Sequence, residues 1–142
     1  MRIITGKYKG RHFDIPRTFK ARPTTDFAKE NIFNVLTGYL DFDGTTALDL
    51  FSGTGSITLE LLSRGCSRVV CVEQDRDHHR FIQQCLHKLD TNVCVPLRGD
   101  AFRAPWTVPY SPKAGDSMLP LLFCFPGQLP PRHEAEYYAR IY

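Results

Sequence analysis

Seven residues, Asp49-Leu50-Phe51-Ser52-Gly53-Thr54-Gly55, constrain this chain more than any other stretch. They stand where a predicted strand, Thr46 to Phe51, gives way to a predicted helix starting near Ser56. Glycines at such a junction let the backbone come close to a ligand, where a side chain would collide. The helix carries Ile57, Leu59, Leu61 and Leu62, with Gly65 as its C-terminal cap. A second strand, Arg68 to Glu73, is apolar on both faces, and a second helix, Arg76 to Leu89, puts His78, Ile82, Cys85 and Leu89 on one stripe. A third strand spans Asn92 to Leu97 and precedes Arg98-Gly99-Asp100. Alternating β-α-β-α-β with continuous apolar strands predicts an α/β fold, a parallel sheet covered on both faces.

The loop departs from a dinucleotide fingerprint, because Thr58 stands where Gly-x-Gly-x-x-Gly needs its third glycine. Asp49 adds negative charge near the turn, which suits a cationic ligand better than a pyrophosphate. S-adenosylmethionine has no phosphate and carries an ammonium and a sulfonium. Glu73 closes the second strand, where a carboxylate accepts ribose hydroxyls, and Asp100 follows the third, where an acid accepts an adenine amino group. The three acids line one crevice at the carboxyl ends of neighbouring strands. A nicotinamide-dependent oxidoreductase is a rival reading, and it rests on the shared β-α-β loop alone.

The rest of the chain divides unevenly. The 142 residues carry a net charge of +3, but residues 1–22 hold seven Lys/Arg against one acid, so the charge is concentrated in a basic head. Arg2, Lys7, Lys9, Arg11, Arg17, Lys20 and Arg22, interleaved with Tyr8, His12 and Phe13, predict contact with RNA phosphates. Two short β-runs, at 2–5 and 11–15, flank Gly6 and Gly10 and predict a hairpin or small curled sheet. Between head and loop, a helix capped by Thr24, Thr25 or Asp26 is predicted to bury Ala28, Ile32, Val35 and Tyr39 and to end near Gly38. Seven of the ten prolines fall between Pro105 and Pro131, where the alternating pattern dissolves. Met118 to Phe125 reads as a strand that Pro120 confines to an edge, and Glu134 to Tyr142 as a short helix. The divisions are therefore a basic β extension over 1–23, a cofactor-binding core over 24–103, and a proline-rich tail over 104–142.

Other classes find no support. No apolar run reaches the roughly 18 residues that span a membrane, and the first residues lack a signal-peptide stretch. Five cysteines without a Cys-x-x-Cys pair indicate neither a disulfide scaffold nor a zinc framework, so a reducing cytoplasm is expected. Cys71 and Cys94 fall in strands and read as core. His78, His79, His87 and Cys85 lack partners at metal-ligand spacing, and no metal is expected.

The order of these motifs resembles the RsmD-type bacterial 16S ribosomal RNA (guanine-N2) methyltransferases. Met1-Arg2-Ile3-Ile4-Thr5-Gly6-Lys7-Tyr8-Lys9-Gly10-Arg11 is similar to that family's opening, and Arg22-Pro23-Thr24-Thr25-Asp26 is specific to it. Leu48 to Ser56, Leu62-Ser63-Arg64-Gly65, Val72-Glu73 and Arg98-Gly99-Asp100-Ala101-Phe102 continue the likeness, which covers about residues 1–103. The resemblance implies a Rossmann-like S-adenosylmethionine-dependent methyltransferase sheet with an N-terminal β-hairpin extension, incomplete at its C-terminus. It implies S-adenosyl-L-methionine as cofactor, bound by Asp49, Phe51, Gly53, Thr54, Gly55, Glu73, Gln74, Asp100, Ala101 and Thr25. It implies 16S rRNA of the small ribosomal subunit as partner, and a monomer. Such enzymes end a fourth strand in Asn/Asp-Pro-Pro-Tyr/Phe, whose polar group and proline carbonyl hold the guanine amino group. Here the run Leu119 to Phe125 leads instead to Pro126-Gly127-Gln128, and the one Pro-Pro, Pro130-Pro131, lacks both flanking groups. No catalytic residue is assigned. The alternative is a truncated or frame-shifted remnant that binds cofactor or RNA without turning over. Such a remnant is expected to leave the Thr46–Phe51 strand with a bare apolar edge.

Overall fold

The computed structural model describes residues 1–103 and 121–123. Among the described residues, four parallel strands form one sheet in the order β3-β2-β1-β4. These are β1 (Thr46–Asp49), β2 (Arg68–Glu73), β3 (Cys94–Arg98) and β4 (Leu121–Phe123). Three helices accompany them: α1 (Asp26–Thr37), α2 (Ser56–Ser63) and α3 (Arg76–Leu89). Val69, Val70, Cys71 and Val72 of β2 are all buried, as a strand inside a covered parallel sheet requires. Pro96 is tolerated in β3 because that strand stands at the sheet edge.

β4 corrects one expectation. It pairs with β1 at Ala47, Leu48 and Asp49, so β1 has a neighbour on both sides and no bare edge. The match is short, three residues, and lies inside the predicted run 118–125. The expected helix over 134–142 lies outside the described residues.

α1 and α3 start where short polar side chains take up free N–H groups. The Thr25 hydroxyl accepts from Ala28 N at 3.2 Å, and Asp75 accepts from Asp77 N and His78 N. Thr25→Ala should therefore lower stability by about 1 kcal/mol; urea denaturation reads the change. α3 buries its predicted stripe, His78, Ile82, Cys85 and Leu89, together with Phe81 and Leu86. α1 follows prediction only in part: Ala28 and Ile32 are partly buried, with Ile32 against the core. Val35 and Tyr39 are 62% and 85% exposed, and the buried positions are Lys29 and Phe33. The apolar stripe predicted for α1 is offset from its inner face, because one of its two buried positions belongs to a lysine.

The head is a single turn of antiparallel pairing rather than a sheet. Arg2 and His12 form one bridge, with Ile3 N donating to Arg11 O and Phe13 N to Met1 O. Ile3 and Phe13 are buried in the main core with Phe33, Leu59, Leu61 and Ile82. Phe13 is thus a core residue and not an exposed platform for a base. The head lies along α2, all eight residues of which are buried. Ser63 binds it three times: its carbonyl accepts from Lys7 N, its hydroxyl donates to Thr5 O, and Tyr8 N donates to that hydroxyl. Gly6 is required there, since with φ at +93° a Cβ would stand 1.8 Å from the Ser63 carbonyl oxygen.

Candidate functional site

The carboxyl ends of β1, β2 and β3 are adjacent, and each delivers one of the predicted acids to the same edge. Asp49 ends β1 and is 2% exposed, beneath the glycine loop. Thr58, in the first turn of α2, donates its hydroxyl to Asp49 Oδ2 at 2.6 Å. Burial raises the Asp49 carboxyl to about 6, against the Thr58 hydroxyl bond and backbone N–H groups that favour the charged form. The helix N-terminus that Asp49 faces has no side-chain cap of its own, because Gly55 occupies that position with φ at +79°. Asp49 is therefore both the anchor of the loop and a largely desolvated negative charge under it.

Glu73 ends β2 and ties the loop from the other strand. Its Oε2 accepts from Gly53 N at 2.7 Å and its Oε1 from Asp75 N at 2.8 Å. Ser52 adds two bonds to the Val72 carbonyl, from its N–H and its hydroxyl. Gly53 has φ at +52°, and a Cβ there would meet nothing nearer than 4.0 Å, so the loop leaves open space over its first glycine. Gly55 is different: a Cβ would come within 3.0 Å of Ile82, so this glycine lets α3 pack against the loop.

Asp100 follows β3, and Phe102 N donates to its Oδ1 at 2.9 Å. A small apolar cluster lies beside it: Leu50, Val72 and Ala101 are buried, with Leu48, Phe51 and Phe102 against them. The Phe51 and Phe102 rings lie 5.6 Å apart. Gln74 is exposed one residue beyond Glu73. Thr54 is buried, and its hydroxyl meets the Met1 sulfur at 3.7 Å. The edge thus offers a buried anion at one end, hydrogen-bond acceptors in the middle, and an apolar wall flanked by an acid. These groups match a ligand with a cationic group, a sugar and a heteroaromatic ring, and S-adenosylmethionine has all three. Thr25 serves as the cap of α1 in this structure.

All seven basic head residues are exposed. Arg2 pairs with Asp26 at 3.0 Å, Arg11 donates to the Lys88 carbonyl at 2.7 Å, and the Lys7 ammonium lies 5.1 Å from the Tyr8 ring. For Lys9, Arg17 and Arg22 the described residues supply no ion-pair partner. Phe19 packs on His78 and Phe81 of α3, so the segment 17–22 runs beside the Glu73 end of the crevice. No group of three or more potential metal ligands occurs among the described residues. No helix among them is long and apolar enough to cross a membrane.

Sequence reasoning missed the node that joins head to core. Glu60 is fully buried in α2 and accepts from Ile4 N at 2.9 Å, Thr5 N at 3.0 Å and Arg64 Nε at 3.1 Å. Lys29 Nζ stands 3.6 Å from it and donates to the Arg2 carbonyl. The signal was present: an acid stands among the leucines of the helix, between Leu59 and Leu61.

The family described as Conserved hypothetical protein 95 matches residues 1–114. The chain belongs to that family. YlbH of Bacillus subtilis, provisionally named an rRNA methyltransferase, is 40% identical over 105 residues, 73% of this chain and 56% of that protein. Ribosomal RNA small subunit methyltransferase D of Buchnera aphidicola (subsp. Baizongia pistaciae) is 35% identical over 96 residues, 67% of this chain and 48% of that protein. The solved Escherichia coli protein yhhF superposes with a TM-score of 0.63 at 30% identity, over 71% of this chain and 53% of that one. The chain spans about half the length of the curated relatives it matches. The RsmD-type likeness read from the motifs and the Rossmann-like α/β sheet both hold.

Proposed function

We propose that this chain binds S-adenosyl-L-methionine across the carboxyl ends of β1, β2 and β3 and acts in methylation of 16S rRNA at a guanine exocyclic amino group. The observation that carries the reading is the placement of Asp49, Glu73 and Asp100 on three adjacent strand ends around the Gly53–Gly55 loop. When bound, the cofactor supplies an electrophilic methyl group for in-line displacement. The buried Asp49 carboxylate favours the cationic methionine part from beneath the loop, while Gly53, Thr54 and Gly55 keep the backbone close. Glu73, beside Gln74, accepts the ribose hydroxyls. Asp100 accepts the adenine amino group, with Phe51 and Ala101 along the ring, and Thr25 lies in the segment that closes over the cofactor. Catalysis of this kind is mainly positioning.

The basic residues Arg2, Lys7, Lys9, Arg11, Arg17, Lys20 and Arg22 hold rRNA phosphates, so affinity falls steeply with salt. In this reading 1–23 is the RNA-binding extension, 24–103 the cofactor core and 104–142 a separate proline-rich tail. The protein works in the cytoplasm as a monomer on the small ribosomal subunit.

One observation favours a narrower role. β4 takes the place beside β1, yet Cys124-Phe125-Pro126-Gly127-Gln128 follows it, with no Asn/Asp-Pro-Pro-Tyr/Phe group to hold a guanine. A chain that binds cofactor and RNA without transferring the methyl group would look like this. Two assays separate the readings. S-adenosylhomocysteine at 100 times its Kd should stabilise the fold by about 2.7 kcal/mol, and NAD should not. Tritiated methyl transfer to 30S subunits or naked 16S rRNA tests turnover. Stabilisation with no incorporation leaves the binding role alone, and stabilisation by NAD instead overturns both.

A further inference from the structure

Phe19 joins the basic head to α3 beside the proposed ribose acid. Its ring centre lies 4.4 Å from the His78 imidazole, tilted by 57°, and 5.5 Å from the Phe81 ring, edge to face. His78 and Phe81 are buried in the first part of α3. The same imidazole brings Nδ1 to 3.9 Å from Glu73 Oε1, with both side chains largely enclosed. At that separation the contact is electrostatic and steric rather than a hydrogen bond. Gly53 N of the loop and Asp75 N at the start of α3 hold Glu73. A ligand hydroxyl that approaches Oε2 competes with the Gly53 bond, and the carboxylate then depends on its remaining neighbours for its orientation. His78 is one of these, and Phe19 packs against it.

We infer that Phe19 and His78 are positioning residues for Glu73, so that docking of the basic head sets the geometry of the ribose acceptor. The inference rests on the S-adenosylmethionine reading of the crevice. It gives the head a second task beside its phosphate contacts. Arg17, Lys20 and Arg22 lie within three residues of Phe19, so a polyanion held by them acts on a segment already coupled to the cofactor site. Coupling of this kind is reciprocal: whatever RNA does to cofactor affinity, cofactor does to RNA affinity.

The test is calorimetric titration of the full chain with S-adenosylhomocysteine and with its 2′-deoxyribose analogue. The variants are F19A, F19Y and H78F, with a thermal melt of each. The wild type should prefer the ribose form. F19A and H78F should reduce that preference about three- to tenfold, and F19Y should keep it within about twofold. H78F keeps a ring against Phe19 while removing the nitrogen near Glu73, so it carries the test if F19A melts below the assay temperature. Equal losses for both ligands would show a merely structural role and overturn the inference, as would an unchanged preference. Failure of the wild type to bind S-adenosylhomocysteine overturns the cofactor reading itself, and the inference with it.

Discussion

Asp49→Asn is expected to melt at a higher temperature than the parent chain and to bind S-adenosylmethionine at least tenfold more weakly. Both effects have one source. The Asp49 carboxyl is raised to about 6 because burial disfavours its charge. Its value in the unfolded chain is near 3.8. The folded state therefore holds the proton more tightly. Below about pH 3.8 the group is protonated in both states and stability is unaffected. As pH rises from there through 6, stability is lost, and above 6 the full penalty remains, on the order of 3 kcal/mol. Asparagine keeps an oxygen to accept from Thr58 and removes the buried charge. Its gain should be absent near pH 4, grow as pH rises and be complete above about pH 6. Asp75, whose carboxyl is lowered chiefly by the His78 and Asp77 N–H groups, acts in the opposite sense but is present in both proteins and cancels. The ligand loss should be greater for S-adenosylmethionine than for S-adenosylhomocysteine, which lacks the sulfonium charge. A variant that is no more stable at pH 7 than at pH 4, relative to the parent, would refute the account of Asp49 as a desolvated anion.

Glu60→Ala is expected to destabilise the fold by about 3–5 kcal/mol, the usual consequence of removing one partner from a buried ion pair. Ile4 N, Thr5 N and Arg64 Nε would lose their acceptor. Lys29, buried and already lowered by desolvation, would lose the nearest charge that favours its ammonium form. Part of the loss should return in Lys29→Met/Glu60→Leu, because an apolar pair of similar volume leaves no buried charge unmatched. The Ile4 and Thr5 N–H groups would still lack a partner, so recovery should be incomplete. Guanidinium denaturation measures all three proteins. A loss below about 1 kcal/mol for Glu60→Ala would mean that the head is held by Ile3, Phe13 and Ser63, not by the ionic node.

The crevice was legible because its signals are local. Strand 68–73 and helix 76–89 announce themselves by their apolar patterns, and both match residue for residue. The glycine loop lies between two such elements, so its acids could be placed on one edge without coordinates. The head was not legible to the same degree. Its pairing partners in α2 lie 55 to 58 residues away, beyond any periodic window. Lys29 shows the other limit. Hydropathy counts it as a solvent residue, and the helix was therefore turned toward Val35 and Tyr39. Its burial depends on Glu60 and the Arg2 carbonyl, and neither can be inferred from α1.

The docking of the head has a consequence for the order in which the chain is made. Ile4 leaves the ribosome 56 residues ahead of Glu60, its hydrogen-bond partner. At roughly 5–20 residues per second, that interval is on the order of 3–11 seconds. Throughout it, Ile3 and Phe13 have no core to enter, and the seven cationic side chains of residues 1–22 are unattached to any folded surface. The positively charged head is fixed to a folded surface only when α2 arrives.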